Sequence, residues 1–199
     1  MPLRLFLFAL TVFSIFLLHQ TPQVVEWDQS VVAYLADHRS PPWTAFMLTI
    51  TYIGTTWGFL VFLFFPFIIY LFRKKVGLAF FYLVSVGLLK WSVSFLKWLV
   101  GRERPELALI PMKTLSMPSG HATNAVLMYG VLAIFFWGKI QNPVGRVLSF
   151  IFCIGMIFLT DLSRVYLGVH YPSDVLMGSL YAACGLWVLQ GFKKDLFSF

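Results

Sequence analysis

The sequence predicts an all-α integral membrane protein, a bundle of six transmembrane helices with its functional loops on the extracytoplasmic side. Two observations carry this. Hydrophobic residues make up 59% of the 199 residues and charged residues only 12%, whereas a soluble domain carries about 25% charged residues. The mean hydropathy is +0.82, and the apolar residues come in long runs, as a bilayer demands. Backbone amides in lipid must be satisfied within their own segment, so these runs are read as helices. The length suits one domain over residues 1–199, and no internal repeat or low-complexity tract interrupts it.

The six spans are residues 3–18, 51–72, 76–100, 122–137, 147–162 and 174–192. Each is near the roughly 20 residues that cross the hydrocarbon. The first resembles the core of a signal peptide, but His19-Gln20-Thr21-Pro22 lacks a small-x-small cleavage pattern. It is therefore read as an uncleaved span, short enough that Arg4 snorkels at its start. Between the first two spans, Val24, Trp27, Val31 and Leu35 recur at helical spacing, with Glu26, Asp28, Gln29 and Asp37 assigned to the opposite face. That pattern predicts an amphipathic helix on the membrane surface over 24–38, ended by Ser40-Pro41-Pro42.

The net charge is +7, but the cations lie at the ends of apolar runs rather than along one soluble face. Lipid headgroups or a phosphorylated substrate explain that placement, and nucleic acid does not. One side of the predicted bundle carries Arg4, Arg73, Lys74, Lys75, Lys139, Arg146, Lys193 and Lys194. The other carries Arg39, Lys97, Arg102, Arg104, Lys113 and Arg164. The positive-inside rule then puts both termini in the cytoplasm. Cys153 and Cys184 both fall within apolar segments and are read as buried thiols, not a disulfide or metal pair.

With six spans, the loops 101–121 and 163–173 emerge on one face, and the polar residues gather there. The first holds Lys97-x6-Arg104-Pro105 and then Pro118-Ser119-Gly120-His121; the second holds Ser163-Arg164-x5-His170-x3-Asp174. Three cations match the charge of a phosphate monoester and the charge spread over its oxygens during transfer. Arginine adds a planar fork for bidentate phosphate contact. Ser119 is a natural N-cap, and Gly120 lets backbone N–H groups at a helix N-terminus approach an anion. His121 follows in the first turn, where it can donate a proton to a leaving oxygen. The spacing of His170 and Asp174 lets the carboxylate hold one ring nitrogen and leave the other basic, with Pro172 pointing to a loop-to-helix junction.

These three blocks, in this order, resemble the type 2 phosphatidic acid phosphatase superfamily, whose pattern is K-x6-RP, PSGH and SR-x5-H-x3-D. The resemblance extends to the six-span layout. It implies that His170 attacks phosphorus to form a phosphohistidine, that Asp174 orients it, and that His121 protonates the leaving group and later activates water. It further implies that Lys97, Arg104, Arg164, Ser119 and Gly120 bind the non-bridging oxygens, with no metal or other cofactor. The implied partners are a lipid phosphate substrate and the membrane, with no obligate protein partner. Relatives of this size act on phosphatidylglycerol phosphate, undecaprenyl pyrophosphate or phosphatidate, which points to a bacterial inner membrane. A lipid phosphotransferase, or a non-catalytic lipid binder or transporter retaining the motifs, is the alternative.

Other polar residues receive plainer readings. His19 and His38 lack a partner motif and are read as interfacial histidines satisfied by backbone. Lys90 lies seven residues before Lys97, on nearly the same helix face and roughly 10 Å deeper. An ion pair with Asp161, or a snorkel toward the cavity, is favoured for it over a functional role. Arg102 and Glu103 stand between motif positions, where they could shape headgroup access. Gly178, Ala182, Ala183 and Gly185 are read as helix-packing residues, and Phe62, Phe64, Phe65 and Phe67 as mostly lipid-facing bulk.

Overall fold

The computed structural model describes residues 1–192, with the backbone alone for Leu18 and Thr56. Lys193 and Lys194, counted above toward the charge bias, lie outside the described residues. Eight helices follow one another among the described residues: α1 (Pro2–Leu18), α2 (Pro22–Asp37), α3 (Pro41–Ile53), α4 (Thr56–Phe72), α5 (Val76–Val100), α6 (Gly120–Lys139), α7 (Pro143–Tyr166) and α8 (Pro172–Phe192). No strand occurs among those residues.

Five segments are long and apolar enough to span a bilayer: Pro41–Phe72, Val76–Val100, Gly120–Lys139, Pro143–Tyr166 and Pro172–Phe192. The predicted first span, α1, has 17 residues, or roughly 25 Å of helix, and bends by 78° into α2; the described residues reach six spans if that bent pair is counted as one. The chain is a multi-pass membrane protein.

The predicted second span begins too late. Its apolar run starts at Pro41 and covers 32 residues, because Pro41 fits the first turn of a helix, where no backbone N–H is needed. The run breaks at Gly54-Thr55, with Thr55 capping α4 by accepting from Gly58 N at 3.5 Å. This break is buried in protein: Asn124 Nδ2 donates to Gly54 O at 3.1 Å. Irregular backbone at membrane depth is tolerated only under such cover.

At the centre lies α6, whose residues 122–129 are all buried. It packs between α7 and α8, while Phe59, Leu63 and Tyr70 of α4 and Tyr82 and Val86 of α5 join its core. Close packing replaces hydrophobic drive between helices in lipid. A Cβ on Gly178 would lie 2.6 Å from the backbone Ser119 O, so α8 needs glycine there, whereas one on Gly185 would lie 2.7 Å from Leu89 Cδ2, a side-chain end that can shift. Ala182 is buried beside them, whereas Ala183 is exposed and takes no part in that seam. Phe64 and Phe65 face outward, while Phe62 and Phe67 are half-buried against the core. Cys153 is buried and Cys184 only half-buried, and both are free thiols.

One end of the bundle gathers the loops 101–119 and 167–171. Leu109 N donates to Leu167 O at 2.9 Å, and Ser119 N donates to Asp174 O at 3.0 Å. Arg39, just after α2, ties the same end together by donating to Tyr166 O at 3.0 Å and Leu107 O at 2.9 Å. The opposite end holds the α4–α5 and α6–α7 turns. There Arg4 donates to Trp187 O at 2.7 Å, bringing the start of α1 to the end of α8.

Candidate active site

All eight residues singled out from the sequence lie at the loop-bearing end. His170 sits in the loop before α8, and Asp174 in its first turn. Pro172 is the first residue of α8 and therefore interrupts no helix, which resolves the irregularity its position suggested. Asp174 Oδ2 lies 3.4 Å from His170 Nδ1. Ser116 Oγ also donates to Oδ2 and lies 3.4 Å from Nδ1. Tyr171 N donates to the same oxygen at 2.8 Å. On the other side of the ring, Arg104 Nη1 stands 3.2 Å from Nε2. An arginine can only donate, so this contact makes Nε2 the unprotonated nitrogen and puts the ring proton on Nδ1, facing Asp174. Burial pushes the His170 imidazole down to about 3; Asp174 opposes the shift, and Lys97 and Arg104 reinforce it. The ring is neutral at physiological pH.

Arg164 differs from its expected place. The sequence reading put Ser163 and Arg164 in a loop, yet both lie buried in the last turn of α7. The loop itself is shorter. Arg164 is 1% exposed, and Nη1 donates to Thr51 Oγ1 at 2.7 Å. Its Nε and Nη2 have no hydrogen-bond partner among the described residues. A buried guanidinium with two idle donors is costly unless an anion visits. Lys97 Nζ donates to Leu115 O and Ser116 O at 2.5 and 2.7 Å, and Arg104 is held by Thr114, Leu115 and Val169.

Ser119 caps α6, accepting from Ala122 N at 3.4 Å, so the Gly120 turn opens the helix at the site. His121 follows it. A Cβ on Gly54 would lie 3.5 Å from His121 Cδ2 and 3.1 Å from Thr160 Cγ2. The α3–α4 break therefore borders the His121 ring. The site has two poles: His170 with Asp174, Ser116 and Arg104, and His121 beside Gly54 on the α6 side. Among the described residues, no group of three or more His, Cys, Asp or Glu is arranged to hold a metal ion.

Besides Ser116, sequence reasoning missed the parts played by Asp28 and Arg102. Asp28 was placed on the solvent face of α2, but it is fully buried. It accepts from Ser173 N at 2.9 Å and Ser173 Oγ at 2.5 Å. Arg102, weighed only as a gate residue, bridges the two carboxylates, with Nη2 2.6 Å from Asp28 and Nη1 2.8 Å from Asp174. Its guanidinium also stacks 4.3 Å from the Tyr171 ring centroid. The amphipathic helix is thus bolted to the carboxylate that holds His170. His19 and His38 behave as expected, bonding to Phe16 O and Tyr34 O. Lys90 does not pair with Asp161: that carboxylate accepts from Ser179 at 2.7 Å instead.

The sequence profile of the PAP2 superfamily matches residues 78–197, more than half of the chain. The chain belongs to the PAP2 superfamily. Phosphatidylglycerophosphatase B of Bacillus subtilis is 29% identical over 98% of this chain and 96% of its own. The Bacteroides thetaiotaomicron lipid A 4'-phosphatase is 32% identical over 63% of this chain and 59% of its own. The crystal structure of a transmembrane PAP2 type phosphatidylglycerolphosphate phosphatase from Bacillus subtilis superimposes with a TM-score of 0.83. That match has 26% identity and covers 98% of both chains.

The Asp28–Arg102–Asp174 chain makes a specific expectation for this PAP2 site. Asp28→Asn preserves shape but removes a charge-assisted contact, so kcat should fall by about 10-fold or more, with KM nearly unchanged. Arg102→Met strips a partner from two buried carboxylates and should cost about 3–5 kcal/mol of stability. Steady-state kinetics and thermal unfolding in detergent check both; an unaltered kcat in Asp28→Asn would remove α2 from the active site.

Proposed function

We propose that this membrane phosphatase removes the terminal phosphate of a lipid phosphate in two in-line steps through a phosphohistidine at His170. Two observations at the same end of the bundle carry this: a neutral, oriented imidazole at His170, and a buried Arg164 holding two donors without a partner among the described residues. In the first step the Nε2–P bond forms as the P–O bond to the lipid breaks, and His121 gives the leaving oxygen a proton. In the second, His121 takes a proton from water, whose oxygen bonds to phosphorus as the Nε2–P bond breaks and its electron pair returns to Nε2, and inorganic phosphate departs. Lys97, Arg104, Arg164, Ser119 and the Gly120 N–H bind the non-bridging oxygens, supplying the charge stabilisation that a metal supplies elsewhere.

Relatives whose names specify phosphatidylglycerol phosphate and lipid A support a substrate anchored in the bilayer. Phosphatidylglycerol phosphate, undecaprenyl pyrophosphate and phosphatidate are the candidates. We place the site on the extracytoplasmic face of a bacterial inner membrane, with both termini in the cytoplasm. Arg39 and Arg102 on the site side are engaged within the protein. The basic clusters Arg73-Lys74-Lys75 and Lys139 lie at the other end, which supports that orientation.

Phosphate release from a panel of those lipids by purified protein, without added acceptor, tests the reading. Release is expected to survive EDTA and to be inhibited by vanadate, whose five-coordinate form resembles the transition state. A strict Mg²⁺ requirement would show that the cation roles are wrongly assigned, and turnover only with a lipid alcohol present would mark a phosphotransferase.

A further inference from the structure

Lys90 is the one charged side chain of α5 that the family motifs do not use, and its surroundings point toward the reaction. It lies two turns before Lys97, inside the span, and is half-buried. No ion pair holds it among the described residues, where the pairs are Arg102 with Asp28, Arg102 with Asp174, and His170 with Asp174. A Cβ placed on Gly120 would lie 3.5 Å from Lys90 Nζ. The ammonium therefore lies beside the first turn of α6, one residue before His121. Lys97 takes the other pole, bonded to Leu115 O and Ser116 O beside His170. A cation within a span is expensive to keep there, and such residues serve a polar cavity or a substrate.

We propose that Lys90 is a specificity residue on the leaving-group side, binding the non-bridging oxygens of a leaving lipid phosphate, so that lipid pyrophosphates are preferred over monoesters. The proposal rests on the roles assigned above to His170 and His121. With a pyrophosphate, the Nε2–P bond forms while the P–O bond to the bridging oxygen breaks. The electron pair stays on that oxygen, and the departing group is a lipid monophosphate, whose charge needs a cation. With a monoester the departing group is an alcohol, which takes its proton from His121 and needs none.

The test compares farnesyl pyrophosphate with farnesyl monophosphate, which share one tail, using the purified full-length protein in detergent. Lys90→Met is expected to lower kcat/KM for the pyrophosphate by about 10- to 100-fold while changing that for the monophosphate less than about 3-fold. Lys90→Arg is expected to keep most of the pyrophosphate activity. Should the methionine variant fail to fold, judged by size-exclusion profile, Lys90→Gln carries the same comparison. Equal losses on both substrates, or no loss on either, would overturn the role of Lys90 and leave the phosphatase reading intact. Failure of the unaltered protein to release phosphate from any lipid phosphate would instead remove the reading on which it rests.

Discussion

Replacing His170 with alanine is expected to lower phosphate release by at least about 10³-fold, because the attacking nitrogen and the bond it forms are both lost. The residue is buried, so a matching loss of fold must be excluded by thermal unfolding in detergent. His170→Gln, which keeps much of the volume, should be equally inactive. The intermediate offers a sharper readout. Labelled substrate quenched in alkali should leave acid-labile, base-stable phosphate on the unaltered protein and none on either variant. The pH profile adds a further constraint. Burial holds the imidazole near 3, so Nε2 is available throughout the range from about pH 5 to 8. An acid limb of kcat/KM in that window must then come from the substrate or another group. Labelling that persists in His170→Ala would move the nucleophile elsewhere.

Much of this architecture was legible in the sequence because the bilayer limits the choices. Apolar runs about 20 residues long located the helices, and α5 agrees with its predicted bounds at both ends. Boundaries were lost where apolar residues continued past a polar signal. Pro41 and Pro42 resembled a stop and proved to be a start, so the early part of the second span was overlooked. The separate motifs come together in space because Ser119 and Asp174 meet through backbone, Ser119 N donating to Asp174 O at 3.0 Å. Asp28 was misplaced although a signal existed. It stands four residues after Val24 and four before Val32, which puts it within the apolar stripe of α2 rather than opposite it. A carboxylate inside such a stripe requires a buried partner. That partner, Arg102, is 74 residues away in sequence, and no local pattern could have joined the two. Ser116 had no signal, since its role depends on how the loop folds over His170.

Arg164 separates function from stability most clearly. Arg164→Met should lower kcat/KM by about 10³-fold or more, the range seen when a transition-state arginine is removed. It should also raise the unfolding temperature. The guanidinium is 1% exposed, with two of its donors unpartnered among the described residues. Its one hydrogen bond among the described residues goes to Thr51, a neutral hydroxyl that is itself shared with Ser163 at 3.0 Å. Desolvation of the cation is therefore poorly repaid until phosphate arrives, and an unbranched apolar side chain of similar length removes the penalty. The two effects have opposite signs, which a merely structural arginine would not produce. The unaltered protein should in turn be stabilised by vanadate or inorganic phosphate, and Arg164→Met should lose most of that ligand-dependent gain. A variant that is less stable than the parent in the absence of ligand would mean that Arg164 is satisfied within the fold, and that the anion is bound elsewhere.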